Sequence, residues 1–493
     1  MSDMVIEKID PVNIKVHCDD SVSKELSTFF TFQVPNHKYT PAYRNRKWDG
    51  RIRLFNLYTK KIYAGLLQYL VKFAKDKKYT IEYDSDDNND VTLEDTKLFV
   101  NSLNIESRGK KIEPHDYQID AINHSIKKER CLLLSPTGSG KSLIIYSLVR
   151  YYLDKLDDNE KILIIVPTTS LVSQMYNDFR DYSGNNWNVD ENCHVIFSGQ
   201  DKISEKKVVI STWQSIYKMP VEYFNSYKVV IGDEAHQYKS KSLTGIMTKL
   251  MKADIRIATT GTLDNVNVHK LVIEGLFGPV YKVTTTKDLM KRDLLSNLQI
   301  DCIMLKYEQD EINQVKRAAY IDEIKWLVQN EKRNKFIANL TNSIRGNTLL
   351  LFNFVDLHGK PLYELMQKIC DDKKVFFIHG GTDVEQREKI RKIVDEETDA
   401  VLVASYGTCS TGINIRNINN IVFTSPSKSV VRVLQSIGRG LRRSESKDRV
   451  KLYDIGDDLS YKSHKNYSLR HMDVRTKIYT NEKFDYKIVP ITL

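Results

Sequence analysis

Two segments, remote from each other in the chain, carry residues suited to acting on phosphate. The first is SPTGSGKS at 135–142. Gly138 and Gly140 let its backbone bend so that N–H groups point at anionic oxygens. Lys141 adds a cation that reaches β- and γ-phosphates, and Ser142 adds a hydroxyl able to ligate a divalent cation. Pro136, Thr137 and Ser139 complete the candidate nucleotide-binding loop. Ser135 stands where such loops usually begin with Gly or Ala, a minor departure because serine is also small. The second segment is QSIGRGLRR at 435–443. Arg439 and Arg442 are spaced so that one helical turn turns both to the same target. An arginine aimed at a phosphoryl group in transfer stabilises its charge, an effect of roughly 10³–10⁵ in rate. The loop implies nucleotide binding. The arginine pair adds a second domain that completes the site. A basic surface helix, extended by Arg443, is the alternative reading of the pair.

A third segment, Asp233-Glu234-Ala235-His236, follows the apolar run 229–231. Carboxylates at the C-terminal end of a strand, in one sheet with a phosphate loop, can hold Mg²⁺ and polarise water. Asp233 is therefore assigned with Ser142 to the metal, and Glu234 to the attacking water. A solvated acidic turn is the alternative.

These residues need a particular scaffold. A buried strand over 131–135 leads into the loop, and a helix begins at Lys141, the context a phosphate loop requires. Apolar runs at 162–166, 208–211, 229–232 and 256–259 alternate with helical patterns such as 141–153 and 171–182. The alternation resumes at 348–352, 375–378, 400–404, 421–424 and 450–453. This is the pattern of parallel sheets covered by helices, hence an α/β class with two units. A charged helical region around 286–345 is expected to join them. The first hundred residues read as a separate small domain. Its strand-like runs at 12–16, 51–54 and 80–83 flank an amphipathic stretch at 66–75, and DSDDNND at 84–90 is expected to be a solvated loop. The tail 460–493 is expected to be a small appendage. The expected boundaries are 1–108, 109–295, 296–457 and 458–493.

The bulk composition limits the alternatives. A chain of 493 residues is too long for one core. With 41% hydrophobic and 28% charged residues it has a globular composition. No apolar run approaches the ~20 residues of a membrane span, and the N-terminus MSDMVIEKID has no signal-peptide core. Cytoplasmic residence is the expectation, that of the host cell if the chain is phage-encoded. Six dispersed cysteines without a CxxC point to reduced core thiols rather than a disulfide framework or zinc site. A net charge of +10 favours a polyanionic partner.

Taken together, the motifs resemble those of superfamily 2 helicases, over roughly 110–457. Gln118 in EPHDYQ matches the position that reads adenine. VPTTSLVSQ at 166–174, with Thr168 and Ser170, matches a phosphate-contacting strand end. STWQSI at 211–216, with Thr212 and Gln214, occupies the place of the next nucleic-acid motif, and Thr260-Gly261-Thr262 that of the coupling motif. LLLFNF at 349–354, SYGTCSTGINI at 405–415 and QSIGRGLRR resemble the fourth, fifth and sixth motifs, with Gln435 where many relatives carry His. The resemblance implies two RecA-like parallel-sheet domains in tandem, with a small α+β N-terminal domain and a short C-terminal appendage. It implies ATP and Mg²⁺, with Lys141, Asp233, Glu234, Gln435, Arg439 and Arg442 as the catalytic set. Matched by position, Thr168, Ser170, Thr212, Gln214, His379, Thr411 and Gly412 become backbone contacts along a polynucleotide track.

The segment HKYTPAYRNRKWDGRIRLF at 37–55 interleaves cations with aromatics. Lys38, Arg44, Arg46, Lys47, Arg51 and Arg53 can neutralise phosphates, while Tyr39, Tyr43, Trp48 and Phe55 can stack on exposed bases. A twisted hairpin with buried aromatics and solvated arginines is the alternative. The segment also resembles the N-terminal domain of UvsW-type phage helicases, as do IEPHDYQ, KILIIVPTTSL, VASYGTCSTGI and the terminal EKFDY. That resemblance implies an ATP-dependent helicase acting on branched DNA in recombination, repair and replication. It implies junction branch migration, fork regression and R-loop unwinding. RNA–DNA hybrids and recombination or single-strand-binding proteins would be further partners. The motor motifs equally suit an RNA helicase or remodelling ATPase, and a non-hydrolysing scaffold is a third reading.

Overall fold

The computed structural model describes residues 2–35, 37–84, 90–197, 199–238, 240–263, 266–411, 415, 417–425, 428–441 and 449–493. The chain forms two compact units, one of Met1–Ser135 with Ser139–Val283 and one of Thr284–Leu493 with Pro136–Gly138.

The first unit is built on a seven-stranded sheet in the order Cys193–Ile196, Val208–Thr212, Lys161–Val166, Tyr227–Gly232, Ile255–Thr260, Arg130–Leu134, Val280–Lys282. Its strand pairings are all parallel. Helices cover both faces of such a sheet, which is why the central strands read as unbroken apolar runs such as ILIIV and VVI. The two edge strands, Cys193–Ile196 and Val280–Lys282, are short and do not stand out in the sequence. The strand Ile255–Thr260 lies between the strand that feeds the phosphate loop and the strand that ends at Asp233. That adjacency brings three motifs together at the C-terminal ends of neighbouring strands.

The N-terminal residues add a four-stranded sheet in the order Lys61–Tyr63, Asn13–Cys18, Met4–Lys8, Ile81–Glu82. The helices Asp20–Phe29 and Leu67–Lys77 supply Val22, Leu26, Leu70 and Phe73 to its core. This core is continuous with that of the first α/β domain. The join is close: a Cβ on Gly65 would lie 2.0 Å from the Glu274 carbonyl oxygen. Tyr69 OH donates to Glu274 Oε2 at 2.6 Å across the same join.

The second unit holds another seven-stranded sheet, ordered Val375–Ile378, Val401–Ser405, Thr348–Phe352, Asn420–Phe423, Arg449–Asp458, Asn297–Lys306, Tyr486–Thr492. Again every pairing is parallel. The strand Asn297–Lys306 corrects the expectation of a purely helical region around 286–345. Asp301 interrupts the apolar run NLQIDCIML and makes it read as charged surface. In the sheet Asp301 is 7% exposed, and Lys451 Nζ at 2.9 Å and Lys487 Nζ at 3.6 Å neutralise it from the flanking strands.

The C-terminal segment is built onto this sheet. Its strand Tyr486–Thr492 pairs along Asn297–Lys306. Its helix Tyr467–Asn481 sends the buried Arg475 to Asp454, with Nη2 2.8 Å from Oδ1, while Tyr479 OH donates to Oδ2 at 2.9 Å. A second buried pair, Arg333 Nε to Asp457 Oδ1 at 2.7 Å, is completed by the Tyr307 and Ser468 hydroxyls. Removing one member of such a pair costs about 3–5 kcal/mol. No helix among the described residues is long and apolar enough to cross a membrane.

Candidate active site and nucleic-acid interface

The phosphate loop leaves the strand Arg130–Leu134 and enters the helix Lys141–Leu153. Gly138 and Gly140 have φ of 86° and 80°, left-handed values that favour glycine. Ser135 Oγ and Ser139 Oγ lie 2.6 Å apart, and the Ser135 N–H donates to the Thr260 carbonyl at 2.8 Å. Lys141 Nζ donates to the Ser135 carbonyl at 3.3 Å. The Pro136, Thr137 and Ser142 side chains are half-buried on this loop and first turn.

Gln118 is 4% exposed and braces the loop from the preceding helix. Its Oε1 accepts from the His115 N–H at 2.8 Å, and its Nε2 donates to the Ser139 carbonyl at 2.9 Å. A Cβ on Gly140 would come within 2.2 Å of that Nε2. Gly140 therefore serves the turn and the contact at once.

Asp233 follows the strand Tyr227–Gly232 and is 9% exposed. Thr259 Oγ1 donates to its Oδ1 at 2.6 Å, as does the Glu234 N–H at 2.8 Å. Burial and the neighbouring Glu234 charge push its pKa up, while Lys141 and the two hydrogen bonds oppose the rise. Glu234 adopts φ 51° and ψ 53°. A glutamate in the left-handed region is uncommon, and such backbone strain concentrates at functional sites. Its Oε2 lies 3.3 Å from His236 Nδ1, and that nitrogen lies 3.2 Å from Thr260 Oγ1. Thr260 Oγ1 in turn donates to the Thr262 carbonyl at 2.9 Å. The acidic motif and Thr260-Gly261-Thr262 are thus hydrogen-bonded to each other. Thr259, which orients the metal-site candidate, was not singled out in the sequence. Its signal is only a hydroxyl at the end of an apolar strand.

Mg²⁺ typically binds one or two protein carboxylates together with substrate phosphates. Among the described residues no group of three or more His, Cys, Asp or Glu side chains could hold a metal. Asp233 with the Ser142 hydroxyl fits the sparser requirement. Both hydrogen bonds to Asp233 fall on Oδ1, so Oδ2 remains for a ligand.

The track candidates of the first unit gather at neighbouring strand ends. Thr168 caps the helix Thr169–Ser183, and its Oγ1 is 3.1 Å from Ser170 Oγ. Gln214 Nε2 reaches the Pro167 carbonyl at 3.2 Å, and Thr212 Oγ1 lies 2.9 Å from Ser215 Oγ. In the second unit, His379 follows the strand Val375–Ile378, and its Nδ1 accepts from the Gly381 N–H at 3.0 Å. Gln435 and Arg439 lie on the helix Val430–Gly440, and Thr411 ends the helix Tyr406–Thr411. Gly412 and Arg442 lie outside the described residues, as do the side chains of Arg439 and Thr411.

Among the N-terminal cations, Arg51 lies on the strand Arg51–Arg53, paired with Thr31–Gln33, and Arg44, Arg46 and Lys47 lie in the segment between these strands. Arg44, Arg46, Lys47 and Arg51 are exposed, and the half-buried Trp48 donates Nε1–H to the Arg51 carbonyl at 2.8 Å. Arg44, Arg46, Lys47 and Trp48 line one groove of about 580 Å³. The aromatics split: Tyr39 is 73% exposed, whereas Phe55 is 1% exposed and belongs to the core. Phe55 therefore does not present a stacking face.

Three family descriptions match the chain: "DNA helicase UvsW, N-terminal" over 3–84, "Type III restriction enzyme, res subunit" over 111–265, and "Helicase conserved C-terminal domain" over 331–444. The ATP-dependent DNA helicase UvsW of enterobacteria phage T4 is 33% identical, with all of both chains covered. A crystal structure of T4 UvsW aligns over 99% of each chain at 31% identity, with a TM-score of 0.53. A fragment of a type I restriction enzyme subunit from Vibrio vulnificus aligns over 81% of this chain and 72% of its own. It has 17% identity and a TM-score of 0.54, a likeness of fold alone.

Proposed function

This chain belongs to the UvsW family of ATP-dependent DNA helicases, and from that premise we propose that it works on branched DNA. Its tasks there would be junction migration, fork regression and R-loop unwinding in the host cytoplasm. The N-terminal cations would engage the branch point. RNA–DNA hybrids and recombination or single-strand-binding proteins are the further partners in this reading.

The observation that carries the ATP chemistry is the joining of three motifs around Asp233. Lys141 acts electrostatically on Asp233, Thr259 fixes the carboxylate, and His236 ties the acidic motif to Thr260. In the proposed cycle the backbone N–H groups of 136–142 and Lys141 bind the phosphates, and Gln118 holds the loop and reads adenine. Ser142 and Asp233 would hold Mg²⁺, which when bound would neutralise phosphoryl charge. Glu234 takes the proton of the attacking water. Gln435, Arg439 and Arg442 are the further catalytic residues of this reading. Thr168, Ser170, Thr212, Gln214, His379, Thr411 and Gly412 hold the backbone of the translocated strand, and such contacts give affinity without sequence readout.

Phosphate release with and without DNA tests this reading. Glu234→Gln should bind nucleotide as the wild type does, yet lose DNA-stimulated release by about 100-fold or more, within the range of general-base effects. Equal release by the two proteins would remove Glu234 from the chemistry.

A further inference from the structure

A groove of about 620 Å³ lies between the N-terminal sheet and the helix Lys241–Lys249 of the first α/β domain. One wall comes from the strands Arg51–Arg53 and Lys61–Tyr63, and the other from that helix. Val272 joins the lining from the helix Asn267–Phe277. The first helix begins just after Asp233-Glu234-Ala235-His236 and the second just after Thr260-Gly261-Thr262.

The charge of the groove is one-sided. Arg53, Lys61 and Lys241 line it, and among the described residues no carboxylate does. Arg53 is paired with Asp49, whereas no ion pair engages Lys61 or Lys241 among the described residues. Cations gathered on a groove repel one another and favour an anionic occupant. Asn56 adds directed donors. Its Oδ1 accepts from the Tyr58 and Thr59 N–H groups, both at 3.0 Å, which fixes the side chain and leaves its amide hydrogens for a ligand.

Gly245 opens onto the same groove. It sits inside the helix Lys241–Lys249, where glycine is a poor helix former. A Cβ built there would meet nothing within 4 Å, so no contact within the protein calls for a glycine. A bare backbone opening onto a groove admits close approach from outside. On the same helix, Thr244 and Thr248 spend their hydroxyl hydrogens on the Tyr238 and Gly245 carbonyls, each at 3.0 Å. The helix therefore offers a low wall rather than competing side chains.

We infer that this groove binds one unpaired strand of DNA by its sugar–phosphate backbone, apart from the track candidates at Thr168 and Thr212. The inference rests on the DNA-helicase reading. Lys61, Lys241 and Arg53 neutralise phosphates, and the Asn56 amide donates to them. Ile52 and Tyr63, half-buried beside these cations, leave apolar surface in the groove that suits base faces, which only an unpaired strand exposes. A strand seated here rests on the two helices that follow the nucleotide-site motifs.

Fluorescence anisotropy with labelled oligo-dT, using the full chain over a series of salt concentrations, tests the inference. The double variant Lys61→Ala/Lys241→Ala should lower the slope of log affinity against log salt by about 0.7 per lysine, which at roughly 0.2 M salt is about a 10-fold weaker complex. Gly245→Gln should bind at least about 5-fold more weakly while its Tm stays level or rises, because glutamine is the better helix former. Gly245→Ala, which adds only the Cβ, should weaken binding too, though by less than Gly245→Gln does. Wild-type affinity and salt slope in both the lysine and the glutamine variants would overturn the inference. A wild-type chain that binds no DNA at all would instead overturn the helicase reading on which it rests.

Discussion

At Gly140 one residue answers two demands. Its φ of 80° excludes most side chains, and its missing Cβ leaves room for the Gln118 amide that supports the loop. Gly140→Ala should therefore be costly beyond its size. A left-handed alanine costs about 1–2 kcal/mol, before the clash with Gln118 Nε2 is relieved. Nucleotide affinity should fall by on the order of 10-fold or more, read by titration with a fluorescent nucleotide while circular dichroism shows the fold retained. Unchanged affinity would mean that the brace does not shape the site. Much of this residue scale is legible in the sequence, because a phosphate loop depends on local backbone chemistry. SPTGSGKS announces its own turn, and Asp233-Glu234-Ala235-His236 its own strand end. Thr259 and the Gln118 to Ser139 bond are not legible, since they arise where segments distant in the chain become neighbours in a sheet.

The elements of the second unit show how buried polar groups position a sheet. The segment Val355–Gly359 follows the strand Thr348–Phe352 and buries His358 fully, with Nδ1 3.1 Å from Ser425 Oγ. Burial and the nearby Arg333 push the His358 pKa down to about 3. The unfolded chain takes up this proton near its ordinary value of about 6.5, so between the two values the unfolded state binds more protons. The contribution of His358 is thus fully present above about pH 6.5 and is lost as pH falls toward 3. At pH 5 the expected loss is about 2 kcal/mol relative to pH 7. Urea unfolding of the full chain at both pH values should show it, and His358→Gln should remove most of that difference. The same pH dependence in the variant would assign it to other groups. Element boundaries were legible where strands run apolar on both faces, as in TLLLF at 348–352. They were not legible at Asn297–Lys306, because the two lysines that neutralise Asp301 come from strands Arg449–Asp458 and Tyr486–Thr492, remote in sequence.

The whole molecule combines a net charge of +10, two parallel seven-stranded sheets and an N-terminal domain whose core merges with that of the first sheet. The motif order was enough to anticipate both sheets. The seating of the N-terminal domain on the helix Asn267–Phe277 was not, because Gly65, Tyr69 and Glu274 form no sequence pattern and meet only in the folded chain. The same helix comes after Thr260-Gly261-Thr262 in the chain. The direct test is ATP-dependent strand separation by the wild type on a four-way DNA junction, a forked duplex, an R-loop and an RNA duplex at one stated salt concentration. Helicase action on branched DNA predicts turnover on the branched substrates that requires Lys141 and Glu234 and exceeds turnover on the RNA duplex. Strand separation confined to the RNA duplex, or undiminished in Glu234→Gln, would contradict it.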